Sequence, residues 1–556
     1  MTKGKLIFSF VIGAALMLAV STLTRSALAQ APAAVPAAEE AAPLPPPAAP
    51  DPAGTTTGAA ADVTVKDPAN PTLNEVMDTV GHNKIAINFM WTLVAGFLVM
   101  FMQAGFAMVE TGFCRAKNAA HTITMNFMVY AVGLIGYWIC GYALQMGGAA
   151  GVSSLGGVAP LSHEFTISLF GHDWGLFGLK GFFLSGGTYD VGVFALFLFQ
   201  MVFMDTAATI PTGAMAERWR FSSFVIFAFF MAMVVYPLFG NWVWGGGWLS
   251  KLGSNLGLGH GHVDFAGSSV VHMVGGVAAL AGAMVLGPRI GKYTKDGKPQ
   301  ALPGHHIPMA IVGTFILAFG WFGFNAGSTL AGGDLRIAVI ATNTMLASAT
   351  GAFSAMLYVW MRYGKPDPSM LANGMLAGLV AITAPCAFVS SVGAAIIGAI
   401  AGVLVVVSVY FVERTMKVDD PVGAFSVHGV NGAWGVLSVG LFADGTYGDA
   451  LNGVPGTVTG LFYEGGATQL YAQIIGTATC AIFVFGMFYA FFKIQNAISP
   501  IRVSAEVEMA GLDIPEMGVL AYPDFPLSTN TTVSSPGAGL TDPAGSLALK
   551  TSAAEG

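Results

Sequence analysis

The fold is decided by two stretches with one pattern, Asp264-Phe-Ala-Gly-Ser-Ser-Val-Val-His272 and Asp420-Pro-Val-Gly-Ala-Phe-Ser-Val-His428. In each, a histidine follows an aspartate by eight residues within a mostly apolar stretch. Because eight helical residues rise about 12 Å and a bilayer core is about 30 Å thick, helices that enter from opposite faces bring both histidines near the midplane. An ionisable side chain at that depth is costly and usually functional. The pattern therefore predicts a pair of imidazoles inside a membrane pore.

The composition is that of a membrane protein. Of 556 residues, 54% are hydrophobic and 10% are charged, whereas about 25% of the residues of a soluble domain are charged. The 73 glycines fit close helix packing in lipid. With a net charge of −7 and no basic cluster, the sequence gives no indication of a nucleic-acid partner. The four cysteines lack C-x-x-C spacing and are interpreted as small core residues, so neither a disulfide framework, a metal site nor a cofactor is predicted.

The N-terminal part is predicted to be processed and unfolded. Residues 1–29 have the pattern of a signal peptide, because lysines precede the apolar run 6–20 and small residues flank position 28. A first transmembrane helix is the disfavoured alternative, since that run is short. Residues 30–73 are rich in Pro and Ala and too poor in large apolar residues to fold, which predicts an extracytoplasmic lead.

Eleven apolar segments predict a membrane domain at 74–495. They lie at 86–110, 122–146, 191–216, 221–244, 265–287, 307–327, 337–361, 370–389, 392–412, 424–443 and 468–492. Loops on one side carry twelve Lys and Arg, and those on the other side carry three. The positive-inside rule therefore predicts an outside N-terminus and a cytoplasmic C-terminus in a bacterial cytoplasmic (inner) membrane.

This topology sets the two Asp-x7-His stretches at the starts of spans that run in opposite directions. Asp264 and Asp420 are interpreted as caps of exposed backbone N–H groups, and Pro421 suits a first helical position. Five spans separate the two stretches. The predicted fold is an all-α polytopic membrane protein with two inverted five-helix repeats, a final helix and a site at the repeat interface.

Ordered motifs between residues 74 and 524 resemble those of the ammonium transporter (Amt/Mep/Rh) family, and of its Amt branch in particular. The matching stretches are 110–118, 199–203, 213–218, 244–247, 264–272, 321–328, 419–430 and 502–513. The resemblance implies the ammonium transporter fold, a homotrimer with one pore per subunit, and uptake of ammonium or ammonia.

The resemblance also implies roles for individual residues. The implied substrate-binding residues are Phe203, Trp244, Asp264, Phe324 and Ser328. The two phenylalanines would be a stacked gate, the indole and the hydroxyl would recruit ammonium, and the carboxylate would support that outer site. His272 and His428 would be a hydrogen-bonded pair that lines the pore.

These residue types suit a cation that sheds its proton. Aromatic faces attract a cation by about 1–2 kcal/mol each when desolvated. Beyond the gate, low dielectric disfavours the charged form, so neutral ammonia crosses at lower free energy. Each imidazole can donate from one nitrogen and accept at the other. Whether the proton crosses through the histidines, by a water chain or not at all is left open.

Each of these side chains also has a structural interpretation. A single intramembrane histidine is consistent with an interhelical hydrogen bond, and a phenylalanine with core or lipid contact. Trp242, Trp244 and Trp248 are consistent with an interfacial belt. A two-histidine metal site lacks further ligands at a recognisable spacing. The matched pair of histidines favours the pore.

Two places depart from the family pattern. Asp205 and Pro211 place a charge and a helix breaker inside the third span, where a helix-contact role is favoured over protonation of the carboxylate. In the predicted cytoplasmic regulatory segment 496–525, Met517 and Val519 flank a glycine where a histidine and an acidic residue are expected. This puts in doubt the binding of a PII-type signalling protein that the resemblance implies. Residues 526–556 are predicted to be a disordered tail.

Two other functions are weighed against ammonium uptake. An ammonium sensor would use the same fold and signal through its C-terminal segment and a partner. A Rh-like channel for a neutral gas would not need the cation-recruiting residues. No nucleophile constellation or phosphate-binding loop in the sequence indicates an enzyme.

Overall fold

A computed structural model describes residues 50–51, 67, 69–149, 152–156 and 161–523. The predicted signal peptide and disordered tail lie outside the described residues, as does most of the predicted lead. The described chain is an assembly of long apolar helices.

Eleven helical elements coincide in order with the eleven predicted segments. They are α1 (Leu73–Phe113), α2 (Ala116–Met146), α3 (Val191–Met215), α4 (Phe221–Trp244), α5 (Ser268–Leu286), α6 (Ile307–Thr329), α7 (Ile337–Tyr363), α8 (Pro368–Ile382), α9 (Ser391–Met416), α10 (Phe425–Val430 continued by Asn431–Phe442) and α11 (Thr468–Ile498). Within the described ranges, nine of them, all but α8 and α10, are long and apolar enough to cross a membrane. The all-α membrane fold is confirmed, and the count of eleven crossings stays a prediction.

Two boundaries differ from the predicted segments for local reasons. Helix α1 begins at Leu73, well before the apolar stretch, because the Thr72 hydroxyl and the Glu75 carboxylate form a capping box. Helix α8 ends at Ile382, seven residues short of the predicted end, and turns follow. Pro385 lies in those turns and cannot continue a helix.

The first helices of the two halves, α1 and α6, pack closely along each other. A Cβ atom at Gly105 would lie 2.9 Å from the Gly313 carbonyl oxygen, and one at Gly313 would lie 2.7 Å from the Gly105 carbonyl oxygen. Only glycine allows the two backbones to approach so closely, as is common between membrane helices. This contact joins the two predicted repeats.

The two ends of the bundle differ. The inner end is defined as the one where the C-terminal segment docks, with its helix Ala505–Ala510 and its π-helical turn Asp513–Met517. The outer end carries an antiparallel hairpin of β1 (Glu164–Leu169) and β2 (His172–Gly178). The hairpin lies in the long loop between α2 and α3.

A buried ion-pair network holds the loops at the inner end. Arg289 pairs with Glu217 at 2.8 Å and with Asp419 at 2.9 Å, and Arg115 also pairs with Glu217. Burial alone raises the pKa of the Asp419 carboxyl, but the guanidiniums of Arg218 and Arg289 lower it well below its ordinary value. The loop before α10 is thereby fixed to the loops that follow α3 and α5.

Candidate functional site

The two predicted pore histidines lie together in the centre of the bundle. The Nδ1 atoms of His272 and His428 are 3.1 Å apart, and the ring centroids are 5.2 Å apart. Both side chains are buried. A hydrogen bond between two Nδ1 atoms requires that one of them carries a proton and the other does not. The pair therefore has a donor ring and an acceptor ring, and these roles can exchange.

Local backbone structure brings the two rings together. Each histidine lies in a π-helical turn, Ser268–Met273 in α5 and Phe425–Val430 in α10. Such turns are rare and are frequent at functional sites. The helices cross at glycines, because a Cβ atom at Gly276 would lie 2.1 Å from the Gly429 backbone nitrogen. Any larger residue at position 276 would push the two histidine-bearing helices apart.

The two aspartates hold the starts of these helices. The Asp264 carboxylate accepts hydrogen bonds from the backbone N–H groups of residues 267–270 at 2.7–3.0 Å. The Asp420 carboxylate accepts from the N–H groups of Gly423 at 2.9 Å and Phe425 at 2.8 Å. These contacts agree with the interpretation of both aspartates as caps. Asp264 also orients a tryptophan, since its backbone carbonyl accepts from the Trp244 indole N–H at 2.7 Å.

A column of aromatic rings leads from the outer end to the histidines. Phe203 and Phe324 are stacked, with centroids 4.1 Å apart and an interplanar angle of 21°. The Trp244 ring meets Phe203 edge-on at 6.1 Å, and the His272 ring lies 5.3 Å from Phe324. The two phenyl rings are buried, whereas Trp244 is half-buried. The phenyl pair thus lies between a partly exposed indole and the buried imidazoles.

Ser328 lies one helical turn after Phe324, in the 3₁₀ turn that ends α6. Its hydroxyl donates to the Phe324 carbonyl oxygen at 2.7 Å, and the side chain is half-buried. Since the proton is engaged, the lone pairs of the oxygen are available to accept an N–H group. Hydrogen bonds and ring contacts therefore connect all seven predicted site residues.

On the inner side, a small cavity of about 20 Å³ adjoins the histidine pair. Phe106, Glu110, Asn373 and His428 contribute to its lining. The Phe106 ring lies 6.0 Å from the His428 ring, so the cavity begins directly below the histidine pair.

Comparisons with known proteins match this architecture. The model of the Ammonium Transporter Family matches residues 90–522. The chain belongs to the ammonium transporter family. It is 47% identical over 445 residues to the ammonium transporter Amt2 of Archaeoglobus fulgidus, which covers 80% of this chain and 89% of the relative. It is 37% identical over 451 residues to the ammonium transporter Amt1 of Haloferax mediterranei, covering 79% of this chain and 80% of the relative.

Solved structures support the same family. A structure described as a Sensor Amt Protein is 35% identical, with a TM-score of 0.66, and the match covers 78% of this chain and 99% of that chain. Mep2 of Candida albicans is 28% identical with a TM-score of 0.63, covering 80% of this chain and 93% of that chain. The protein is thus a multi-pass membrane transporter, and ammonium transport is its function.

Two residues near the histidine pair, Trp321 and Glu110, gain a definite position only from the structure. The Trp321 ring of the transporter stacks on His272 with centroids 5.2 Å apart, and its N–H donates to the Thr383 hydroxyl at 3.0 Å. Its spacing of three residues from Phe324 is the signal that places both rings on one helix face. Glu110 lines the inner cavity, and a carboxylate inside an apolar segment is the signal for it.

Asp205, the second carboxylate of this kind, is buried in α3 two residues after Phe203. Its Oδ1 atom has no hydrogen-bond partner in the part of the chain that the structure describes. Pro211 does not interrupt α3, which continues to Met215. The favoured role of Asp205 in helix contact stays a prediction.

Proposed function

We propose that the transporter takes up ammonium by recruiting the cation at the outer aromatic site and passing neutral ammonia along the histidine pair. The observation that carries this proposal is the uninterrupted contact from the stacked phenyl gate to the imidazoles. The described ring contacts of His272 are Trp321, Phe324 and His428. Aromatic and imidazole rings cannot compensate the several kcal/mol needed to desolvate a bare cation, so the charge is not carried past the gate on the nitrogen.

The outer site attracts a cation without a buried carboxylate in direct contact. Trp244 and Phe203 offer aromatic faces, and the Ser328 oxygen accepts one N–H group. The Asp264 carboxylate is engaged by backbone N–H groups. Asp264 therefore acts through the position of Trp244 and through its negative field.

The histidine pair offers an acceptor to the deprotonated substrate. The Nε2 atom of His272 is buried and has no hydrogen-bond partner among the described residues. When His272 donates through Nδ1, this Nε2 atom carries a lone pair that accepts an N–H group of ammonia. The histidine pair thus supplies a hydrogen bond that water would otherwise provide to ammonia.

The proposed setting is a bacterial cytoplasmic membrane with the N-terminus outside and the C-terminus in the cytoplasm. The excess of Lys and Arg in the loops of the inner end supports this orientation. A homotrimer is the proposed assembly, by similarity to the family.

A PII-type protein is the proposed partner at the inner end. Val519 and Leu520 are exposed there, whereas the Glu516 carboxylate accepts from the Phe221 N–H at 3.0 Å and is engaged within the chain. A partner would therefore contact the residues after Gly518.

Proteoliposomes that contain the purified transporter test the proposed function. A jump of external ammonium is expected to produce an inward current and a change of internal pH, and methylammonium a smaller response. K⁺ is the negative control. The absence of any ammonium-dependent current or pH change would contradict transport and return the sensor hypothesis to first place. A change of internal pH without an ammonium-dependent current would favour the Rh-like gas channel.

A further inference from the structure

Glu110 is a buried carboxylate that the outer site and the histidine pair do not use. It lies in the last turn of α1, and its side chain is 3% exposed. It follows Phe106 by four residues, which is about 6 Å along a helix. Because the Phe106 ring contacts His428, Glu110 lies one turn further towards the inner end, in the lining of the cavity.

Neutral donors hold this carboxylate in place. Its Oε2 atom accepts from the Asn126 side-chain amide at 2.9 Å and from the Thr212 hydroxyl at 2.7 Å. Asn126 is itself fixed, because its Oδ1 atom accepts from the Thr209 hydroxyl at 2.8 Å. The carboxyl group is thus oriented by helices α2 and α3 and cannot rotate freely.

Space and charge around Glu110 suit a small cationic guest. A Cβ atom at Gly213 would lie 3.1 Å from Glu110 Oε1, so a glycine there leaves room for the carboxyl group. Glu110 forms no ion pair with a described residue. The neighbouring titratable groups are Asp420, whose carboxylate caps α10, the Cys114 thiol at the end of α1, and His428 across the cavity. A buried carboxylate without a cationic partner is costly unless it binds a proton or a cation.

We propose that Glu110 returns a proton to ammonia that leaves the histidine pair and then holds the resulting ammonium in the inner cavity. This inference rests on the proposed function. In this step the carboxylic O–H bond breaks, the ammonia lone pair forms the new N–H bond, and an ammonium–carboxylate pair remains. After ammonium leaves, the carboxylate takes up the proton that was released at the outer site. That proton enters at the Nε2 atom of His272, crosses the Nδ1–Nδ1 hydrogen bond to His428, and leaves from the Nε2 atom of His428 into the cavity that Glu110 lines.

The quantity that tests this role is the charge moved for each ammonia delivered, measured as current and internal pH in the same proteoliposomes. Glu110→Gln keeps an oxygen acceptor for Asn126 and Thr212 but carries no exchangeable acid. We expect the charge moved per ammonia to fall at least tenfold in this variant, because neutral ammonia still passes whereas the proton no longer accompanies it. Glu110→Asp is expected to retain the ratio at a lower rate.

Asp205→Asn is the matched control, because it removes a buried carboxylate that does not line the cavity, and it should keep the wild-type ratio. A wild-type ratio in Glu110→Gln, or equal losses in Glu110→Gln and Glu110→Asp, would overturn the role of Glu110. If the wild-type transporter itself shows no ammonium response, the proposed function fails instead.

A second measurement does not depend on the folding of Glu110→Gln. Ammonium perfused over the wild-type protein should remove the infrared carbonyl band of a protonated carboxyl group and add carboxylate bands. The same change is expected in Asp205→Asn. Difference spectra without any carboxyl signal would overturn the proposal.

Discussion

The outer and inner ends of the proposed pore differ in the groups that they offer to a positive charge. At the outer end, half-buried Trp244 and the stacked phenyl rings offer aromatic faces, and the Asp264 carboxylate is engaged by backbone N–H groups. At the inner end, the buried carboxylate of Glu110 borders the cavity directly. In the proposed function, the outer end attracts a cation loosely enough to release it, whereas the inner end provides an acid that restores the cation.

The largest expected effect comes from removing one histidine of the pair that lies between the two ends. His272→Ala or His428→Ala leaves a polar space that water can enter, so that intact cations cross between the ends. The preference for ammonium over K⁺ should fall about a hundredfold, equivalent to about 2.7 kcal/mol. Currents driven by equal ammonium and K⁺ gradients measure it. Unchanged selectivity in both variants would return the pair to a packing role.

The caps of the two histidine-bearing helices should differ in strength. The Asp264 carboxylate accepts four backbone N–H groups and the Ser269 hydroxyl, whereas Asp420 accepts two backbone N–H groups. Asp264→Ala should lower the free energy of unfolding by about 2 kcal/mol, and Asp420→Ala by about 1 kcal/mol. Thermal unfolding in detergent measures both variants, and the reverse order would contradict this account of the caps.

Recruitment at the outer end should depend on one tryptophan. Trp244→Leu removes an aromatic face worth about 1–2 kcal/mol, so the ammonium concentration at half-maximal current should rise about tenfold. Trp242→Leu is the control, because the Trp242 N–H donates to the Leu176 carbonyl and the ring is not part of the column. Equal effects of both substitutions would show that Trp244 belongs to an interfacial belt.

The smallest effect is expected when the pH is lowered, because the ion pair of Asp419 at the inner end persists in mild acid. Because the pKa of Asp419 lies well below its ordinary value of 3.8, this carboxylate stays ionised in mild acid. A lowered pKa adds stability above the unfolded-state value, and this stability is lost only as the pH falls through the folded-state value. The difference in Tm between wild type and Asp419→Asn should therefore be constant from about pH 8 to about pH 5. A difference that shrinks within that range would contradict the ion-pair network.

Sequence reasoning located the histidine pair because helix rise and bilayer thickness limit where a charged group can lie. It could not locate the aromatic gate, since Phe203 and Phe324 are two of 40 phenylalanines and gain their role only from the family resemblance. The glycine contact between positions 276 and 429 was also beyond prediction, because backbone approach depends on how two distant helices cross. Glu110 is recognisable in the sequence as a carboxylate inside an apolar segment. Whether this carboxylate faces lipid, protein or the pore depends on helix rotation, which the sequence does not fix.

The most direct test of the account counts charge and ammonia together in wild-type proteoliposomes after an ammonium jump, with a matched K⁺ jump. Each ammonia delivered should be accompanied by one positive charge, while K⁺ should produce no current. A comparable K⁺ current, or ammonia delivery without charge, would contradict a pore that separates the proton from ammonium at the outer end and reunites them at the inner end.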